Sequence, residues 1–185
     1  IVVRLQFNNG SIADPEGKEG LTALTAKLAM EGGTGSWTKA AIDSFTYPMA
    51  ASYGAFADKE VTNFAFQFPA AYTEDFYPVM IGLVTNPSFK QEDFERVKAN
   101  QLNYVTRSIR NSSDEDYSKL ALEDFLFRGT SYQHMVNGTK AGLENITLQD
   151  VKDHYAWYFT KDNLLIGIAG GYDDDFKDRL EEDLE

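Results

Sequence analysis

The stretch Gly20-Leu21-Thr22-Ala23-Leu24-Thr25-Ala26-Lys27-Leu28-Ala29-Met30-Glu31-Gly32-Gly33-Thr34 decides how the chain folds. Leu21, Leu24 and Leu28 recur at the spacing of one face of an α-helix, so the segment reads as a helix over about 20–31. Gly32-Gly33 ends it, because glycine takes the positive φ that helix ends favour without a steric cost. The residues before it keep a different period. Ile1-Val2-Val3-Arg4-Leu5-Gln6-Phe7 alternates apolar and polar from the first residue, which reads as a strand already under way. Asn8-Asn9-Gly10-Ser11 and Asp14-Pro15-Glu16-Gly17 supply the turns between the two. With no initiator Met and no signal-peptide pattern, the chain is expected to be a fragment or a processed form.

Further out, a second helix follows Trp37 and fades before Pro48. Met49 to Ala57 and Val61 to Phe68 read as two strands joined by Asp58-Lys59-Glu60. Phe64, Phe66 and Phe68 share one face of the second, and burying them is worth several kcal/mol at roughly 25 cal/mol per Å² of apolar surface, so helices must cover that face. Thr73 reads as an N-cap before Phe76, Val79, Met80 and Leu83, with Pro78 within about a turn of the start. Ser88 and Gln91 fit a capping box before a long helix carrying Phe94, Val97, Leu102, Val105 and Ile109. Ser113 opens a helix through Tyr117, Leu120, Ala121 and Phe125, and Thr147 opens one through Val151, Tyr155 and Tyr158. Leu164 to Ala169 is a short strand, and Gly170-Gly171 turns it toward a final acidic helix. Paired strands, a run of helices and a late strand give an α+β layer sandwich in one domain, a mixed or antiparallel sheet covered by helices.

Composition narrows the function classes. The 185 residues carry 17 Lys and Arg against 29 Asp and Glu, a net charge of −12. Phosphate binding needs clustered cations, so nucleic acid is disfavoured as a partner, as is an anionic membrane surface. Eight acidic and two basic residues fall in 173–185, so half of the imbalance sits in one terminal segment. That segment is expected to be the solvated face of a helix separated from whatever it should pack on. No stretch approaches the ~18 apolar residues of a spanning helix. Cysteine is absent, which removes thiolate nucleophiles, Cys-ligated zinc and disulfides together.

Four local patterns then occur in a recognisable order. They are Asn9-Gly10-Ser11 through Gly20-Leu21 to Glu31-Gly32-Gly33-Thr34; Pro87-Ser88-Phe89 with Phe94-Glu95-Arg96; Gly129-Thr130, His134 and Gly138-Thr139 with 146–151; and Tyr158-Phe159, 162–164 and Gly170-Gly171. Together they resemble the insulinase, pitrilysin and mitochondrial processing peptidase family of zinc metallopeptidases. The resemblance implies an insulinase-type α+β module spanning 1–185, with its first strand and a C-terminal portion missing.

Active members of that family carry an inverted His-x-x-Glu-His motif on the first helix. Two His side chains four residues apart share a helical face and bind zinc, while the Glu activates the bound water. At the matching positions this chain has Ala23, Ala26 and Lys27. A third ligand, a Glu on the long helix, is also unmatched: between Glu95 and Asp114 there is no acidic residue, and types such as Asn100, Gln101 and Tyr104 stand instead. The resemblance therefore implies an inactive homologue that binds no zinc itself. Lys27 has two readings, a solvated surface residue or an ammonium replacing the metal's charge beside a carboxylate or a backbone carbonyl. His134 lies in a loop, and His154 shares a helix face with Asp150, which reads as a solvent-facing capping pair rather than a zinc site.

The implied role is a silent module that pairs with an active, zinc-bearing module, in the same chain or a second subunit, around a peptide-degrading or processing chamber. A bacterial periplasm or cell envelope is the compartment the resemblance favours. An extended peptide would find its place on the edge of Ala51, Ser52, Tyr53, Gly54 and Ala55, where Pro48 and Asp58-Lys59 blunt the strand; the other reading of this strand is that it is simply paired or covered. The alternative is a purely structural scaffold subunit resembling the core proteins of respiratory complexes.

Overall fold

A computed structural model describes residues 1–184. Glu185, the last acidic residue of the terminal segment, lies outside the described residues. Four strands, β1 (Val2–Phe7), β2 (Ser52–Ala57), β3 (Thr62–Gln67) and β4 (Leu164–Ala169), form one sheet in the order β2-β3-β1-β4. Every pairing is antiparallel, so the sheet is not mixed. The register places Leu5 between Phe64 and Ile166, and Val3 between Phe66 and Ile168. One face is thus a continuous apolar surface, and Val3, Leu5, Phe64, Phe66 and the neighbouring Phe68 are buried beneath helices. The opposite face is open, with Arg4 5.9 Å over the exposed Phe56 ring and Leu165 in solvent.

Helices α1 (Leu21–Glu31), α2 (Lys39–Thr46), α3 (Thr73–Thr85), α4 (Gln91–Asn103), α5 (Ile109–Ser112), α6 (Asp114–Leu126), α7 (Lys140–Asn145), α8 (Leu148–Tyr158) and α9 (Asp174–Leu184) make up the rest. At the centre lies α1, in contact with β2, β3, α3, α4 and α8, and buried along almost its whole circumference. That burial explains its composition: small Ala and Thr let neighbours approach on the sides that Leu does not fill. Gly20 opens the helix at φ 103°, and a Cβ there would meet the Asn137 carbonyl oxygen at 2.8 Å, so only glycine fits. At the other end Gly33, at φ 79°, provides the positive φ, while Gly32 stays right-handed.

Several local expectations are corrected. The first hairpin strand begins at Ser52, because Tyr47–Met49 forms a 3₁₀ turn and Ala50 is left-handed. Thr73 is inside α3 and hydrogen-bonds back to the Ala70 carbonyl, and Pro78 lies deeper in the helix than its first turn. Ser88 does not cap α4; its hydroxyl donates to the Gly32 carbonyl and fastens the end of α1. The long helix is interrupted by a π-helical turn, Tyr104–Ser108, before α5. Ser113 and Thr147 do cap α6 and α8, the latter in a capping box with Asp150. The acidic terminal helix has its partner within this chain: α9 packs on α3, burying Phe176 and Leu180, with Arg179 paired to Glu74 and 3.8 Å over the Tyr77 ring. Its apolar stripe, Phe176 with Leu180, overrides the local charge density.

Candidate functional site

The first turn of α1 is tied from three sides. Asp14, seven residues before the start of α1, accepts from the Gly20 and Thr22 amides and from the Thr22 hydroxyl, each at 2.7 Å, and so caps α1 from a distance. Burial pushes the Asp14 carboxyl above the usual carboxylate range, against the pull of these hydrogen bonds. From α8, the His154 ring reaches Thr22 Oγ1 at 3.0 Å. From α4, Gln101 donates through Nε2 to the Gly20 carbonyl at 3.1 Å and the Asn137 carbonyl at 3.0 Å.

On this frame α1 presents the three positions singled out in the sequence. Ala23 and Ala26 are 3% and 1% exposed, and Lys27, one turn beyond Ala23, is half-buried. The Lys27 amine makes a long 3.5 Å contact with Asn137 Oδ1. Among the described residues no carboxylate lies within 4.0 Å of it, so the pairing of Lys27 with a carboxylate is not found, and neither is full solvation.

A zinc ion does not fit this set. The two alanines offer no lone pair, the Lys27 ammonium offers none while protonated, and Gln101 turns its amide nitrogen to two carbonyls. Among the described residues no group of three or more His, Cys, Asp or Glu side chains is placed to hold a metal. His134 is engaged with the Met135 carbonyl at 2.9 Å. His154 is not solvent-facing: it is 5% exposed, and burial pushes its pKa down to about 4. Asp150 does cap α8, but its ion pair is with Lys18 on the α1 approach. Desolvation raises the Asp150 carboxyl, yet its hydrogen bonds with Lys18 and Thr147 bring it below the usual range.

Beside Lys27 runs an open cleft of about 710 Å³ between α1, α2 and β2. Ala51, Tyr53, Gly54 and Ala55 form one wall, and Ser52 is exposed at the start of the same strand. Because β2 ends the strand order, its second edge pairs with no strand among the described residues. Tyr53 turns inward and donates its hydroxyl to Asp43 at 3.2 Å; burial pushes its pKa far up. Lys59, after the strand, is not a loose blunting charge: its amine donates to the Tyr132 and His134 carbonyls, which clamps the 132–137 loop. Burial lowers its pKa. Asp14 and the Asn137 loop are the parts of the site that sequence reasoning missed. The Asp14-Pro15 turn was their visible trace, and nothing local signalled Asn137.

Comparison with known proteins agrees with this geometry. The family described as Insulinase (Peptidase family M16) matches residues 2–145. The chain is 26% identical over 169 residues to a Helicobacter pylori protein named "Non-peptidase homolog YmxG", covering 91% of this chain and 38% of that protein. It is 23% identical over 173 residues to cytochrome b-c1 complex subunit 1, mitochondrial, of Caenorhabditis elegans, covering 91% of this chain and 35% of that one. The chain thus spans little more than a third of these relatives' length. Its fold matches the peptidase M16 inactive domain from Pseudomonas fluorescens with a TM-score of 0.87 at 21% identity, over 99% of this chain and 44% of that one.

Proposed function

The chain belongs to the insulinase family, peptidase family M16, and from that premise we propose that it is a non-catalytic module which pairs with an active, zinc-bearing module to complete a peptide-handling chamber. The observation that carries this reading is the replacement of ligands and base by Ala23, Ala26 and Lys27 on an α1 that is otherwise packed and capped in full. The names of the relatives, a non-peptidase homolog and an inactive domain, support it. In this reading the zinc resides in the partner module, and an extended peptide adds to the free edge of β2 through backbone hydrogen bonds, with its side chains entering the adjoining cleft. A bacterial periplasmic or envelope location is part of the same proposal.

The second reading, a scaffold subunit with no substrate, is favoured by the likeness to cytochrome b-c1 complex subunit 1. Co-purification from the native source with mass spectrometry, followed by peptidase assays, separates the two. A His-x-x-Glu-His motif in the rest of the protein or in a co-purifying chain, with peptide turnover by the complex, is the expected result. Turnover by this module alone would overturn the proposal, and a complex without that motif would favour the scaffold.

A further inference from the structure

The cleft between α1 and β2 is lined by more cations than carboxylates, although the chain as a whole is acidic. The chain as a whole is at −12, yet the cleft wall holds three cations, Lys27, Lys39 and Arg96, against two carboxylates, Glu31 and Asp43. Two of the cations are already answered. Lys39 is bonded to Asp43, and Arg96 is bonded to Glu31 and Asp93. Among the described residues Lys27 has no carboxylate within 4.0 Å; it is half-buried, with Ala23 one turn before it and Glu31, which is held by Arg96, one turn after it on the same helix face. Asn137, the one side chain among the described residues that is hydrogen-bonded to its amine, is not part of the cleft lining, so the contact marks the cleft's boundary at Lys27.

We propose that this cleft recognises the free C-terminal carboxylate of an extended peptide, with the β2 edge holding the backbone and the Lys27 ammonium taking the terminal charge. This inference rests on the peptide-binding reading above. A half-buried ammonium gains more from a carboxylate than from a neutral amide, because a full opposite charge at contact distance adds a Coulomb attraction that solvent screens less in a cleft than on an open surface. A chain that continued past Lys27 would cover the amine with uncharged peptide, which strips its water without supplying a counter-charge. A chain that ends there supplies one. The module would accordingly hold peptides that have already been cut, or the tails of intact proteins, in preference to internal segments.

The test uses the full-length protein with its co-purifying partner and an N-terminally fluorescein-labelled peptide of alternating Val and Thr, read by fluorescence anisotropy. The peptide is made as a C-terminal acid, as a C-terminal amide, and as an amide with Glu at the penultimate position. The acid is expected to bind at least about tenfold more tightly than the plain amide. Lys27→Met brings the acid and amide affinities together; Lys27→Gln, which keeps a polar head, does the same if the Met variant folds poorly. Equal binding of acid and plain amide overturns the inference while leaving peptide binding in place. Binding of the Glu-containing amide as tightly as the acid also overturns it, since a side-chain carboxylate then suffices. Failure of all three to bind removes the peptide-binding reading and this inference with it.

Discussion

The Nε2 of His154 stands 3.0 Å from the hydroxyl of Thr22, joining α8 to the first turn of α1 in the interior of the module. The hydroxyl has one proton, and the 2.7 Å contact with Asp14 Oδ1 takes it, so the ring nitrogen must donate. His154 is therefore held as the neutral tautomer with its proton on Nε2. Packing in this interior requires a neutral imidazole.

That arrangement gives stability a pH dependence with a definite sign. The folded pKa of His154 is about 4 against 6.5 in the unfolded chain, so between these values the unfolded state binds the extra proton. Its stabilising contribution is complete above 6.5 and is lost as pH falls toward 4, by on the order of 3 kcal/mol. Asp14, raised above 3.8 by burial, acts in the opposite sense at the acid end of that window. Urea unfolding across this range should show the midpoint falling below pH 6.5, and His154→Leu should flatten the slope. An unchanged slope in the variant would place the titration elsewhere.

Gln101 makes a sharper case, because its amide nitrogen bridges the Gly20 and Asn137 carbonyls while 1% exposed, and its Oε1 has no hydrogen-bond partner among the described residues. Gln101→Ala should cost about 1–3 kcal/mol by leaving two carbonyls without their donor. Gln101→Glu should cost more at pH 8 than at pH 5, since a buried carboxylate would face two carbonyl oxygens whereas the protonated acid still donates once. Thermal melts at the two pH values decide it, and a Glu variant as stable as the parent at pH 8 would refute the bridging role.

The parts of this architecture that were legible in the sequence are those set by local periodicity. β1, α1 and the Phe64, Phe66 and Phe68 face follow from spacing, because burial repeats at the period of the element. Ser113 and Thr147 were legible as caps because the partner lies three residues away. Ser88 and His154 were not, since each spends its polar group on a residue distant in sequence, Gly32 and Thr22. His154 did carry a signal: it follows Val151 by three residues on the buried face of α8. Ala23, Ala26 and Lys27, the positions that the family resemblance singles out, lie together on α1, whereas the contact between Lys27 and Asn137 joins residues that no spacing rule connects.

The α9 docking offers an independent measurement. Leu180 is fully buried against α3, so Leu180→Ala should destabilise the module by about 2–5 kcal/mol. Arg179→Ala, at an exposed pair with Glu74, should cost far less because solvent screens it. Urea titrations of the two variants give the ranking, and an inconsequential Leu180→Ala would mean that α9 does not dock on α3 in solution.

Rebuilding the family motif tests whether the cavity of an active enzyme survives. Ala23→His, Ala26→Glu and Lys27→His together restore the residue types, yet two of those positions are closed, at 3% and 1% exposure. Forcing large side chains into packed sites costs about 1–3 kcal/mol each. The variant also has no acidic residue on the long helix between Glu95 and Asp114, where Gln101 holds α1 to the 137 loop. The triple variant is therefore expected to melt at a lower temperature and to retain no stoichiometric zinc after dialysis. Metal analysis reads this directly. Stoichiometric zinc in a folded variant would show that α1 and its neighbours still relax into a metal-binding geometry.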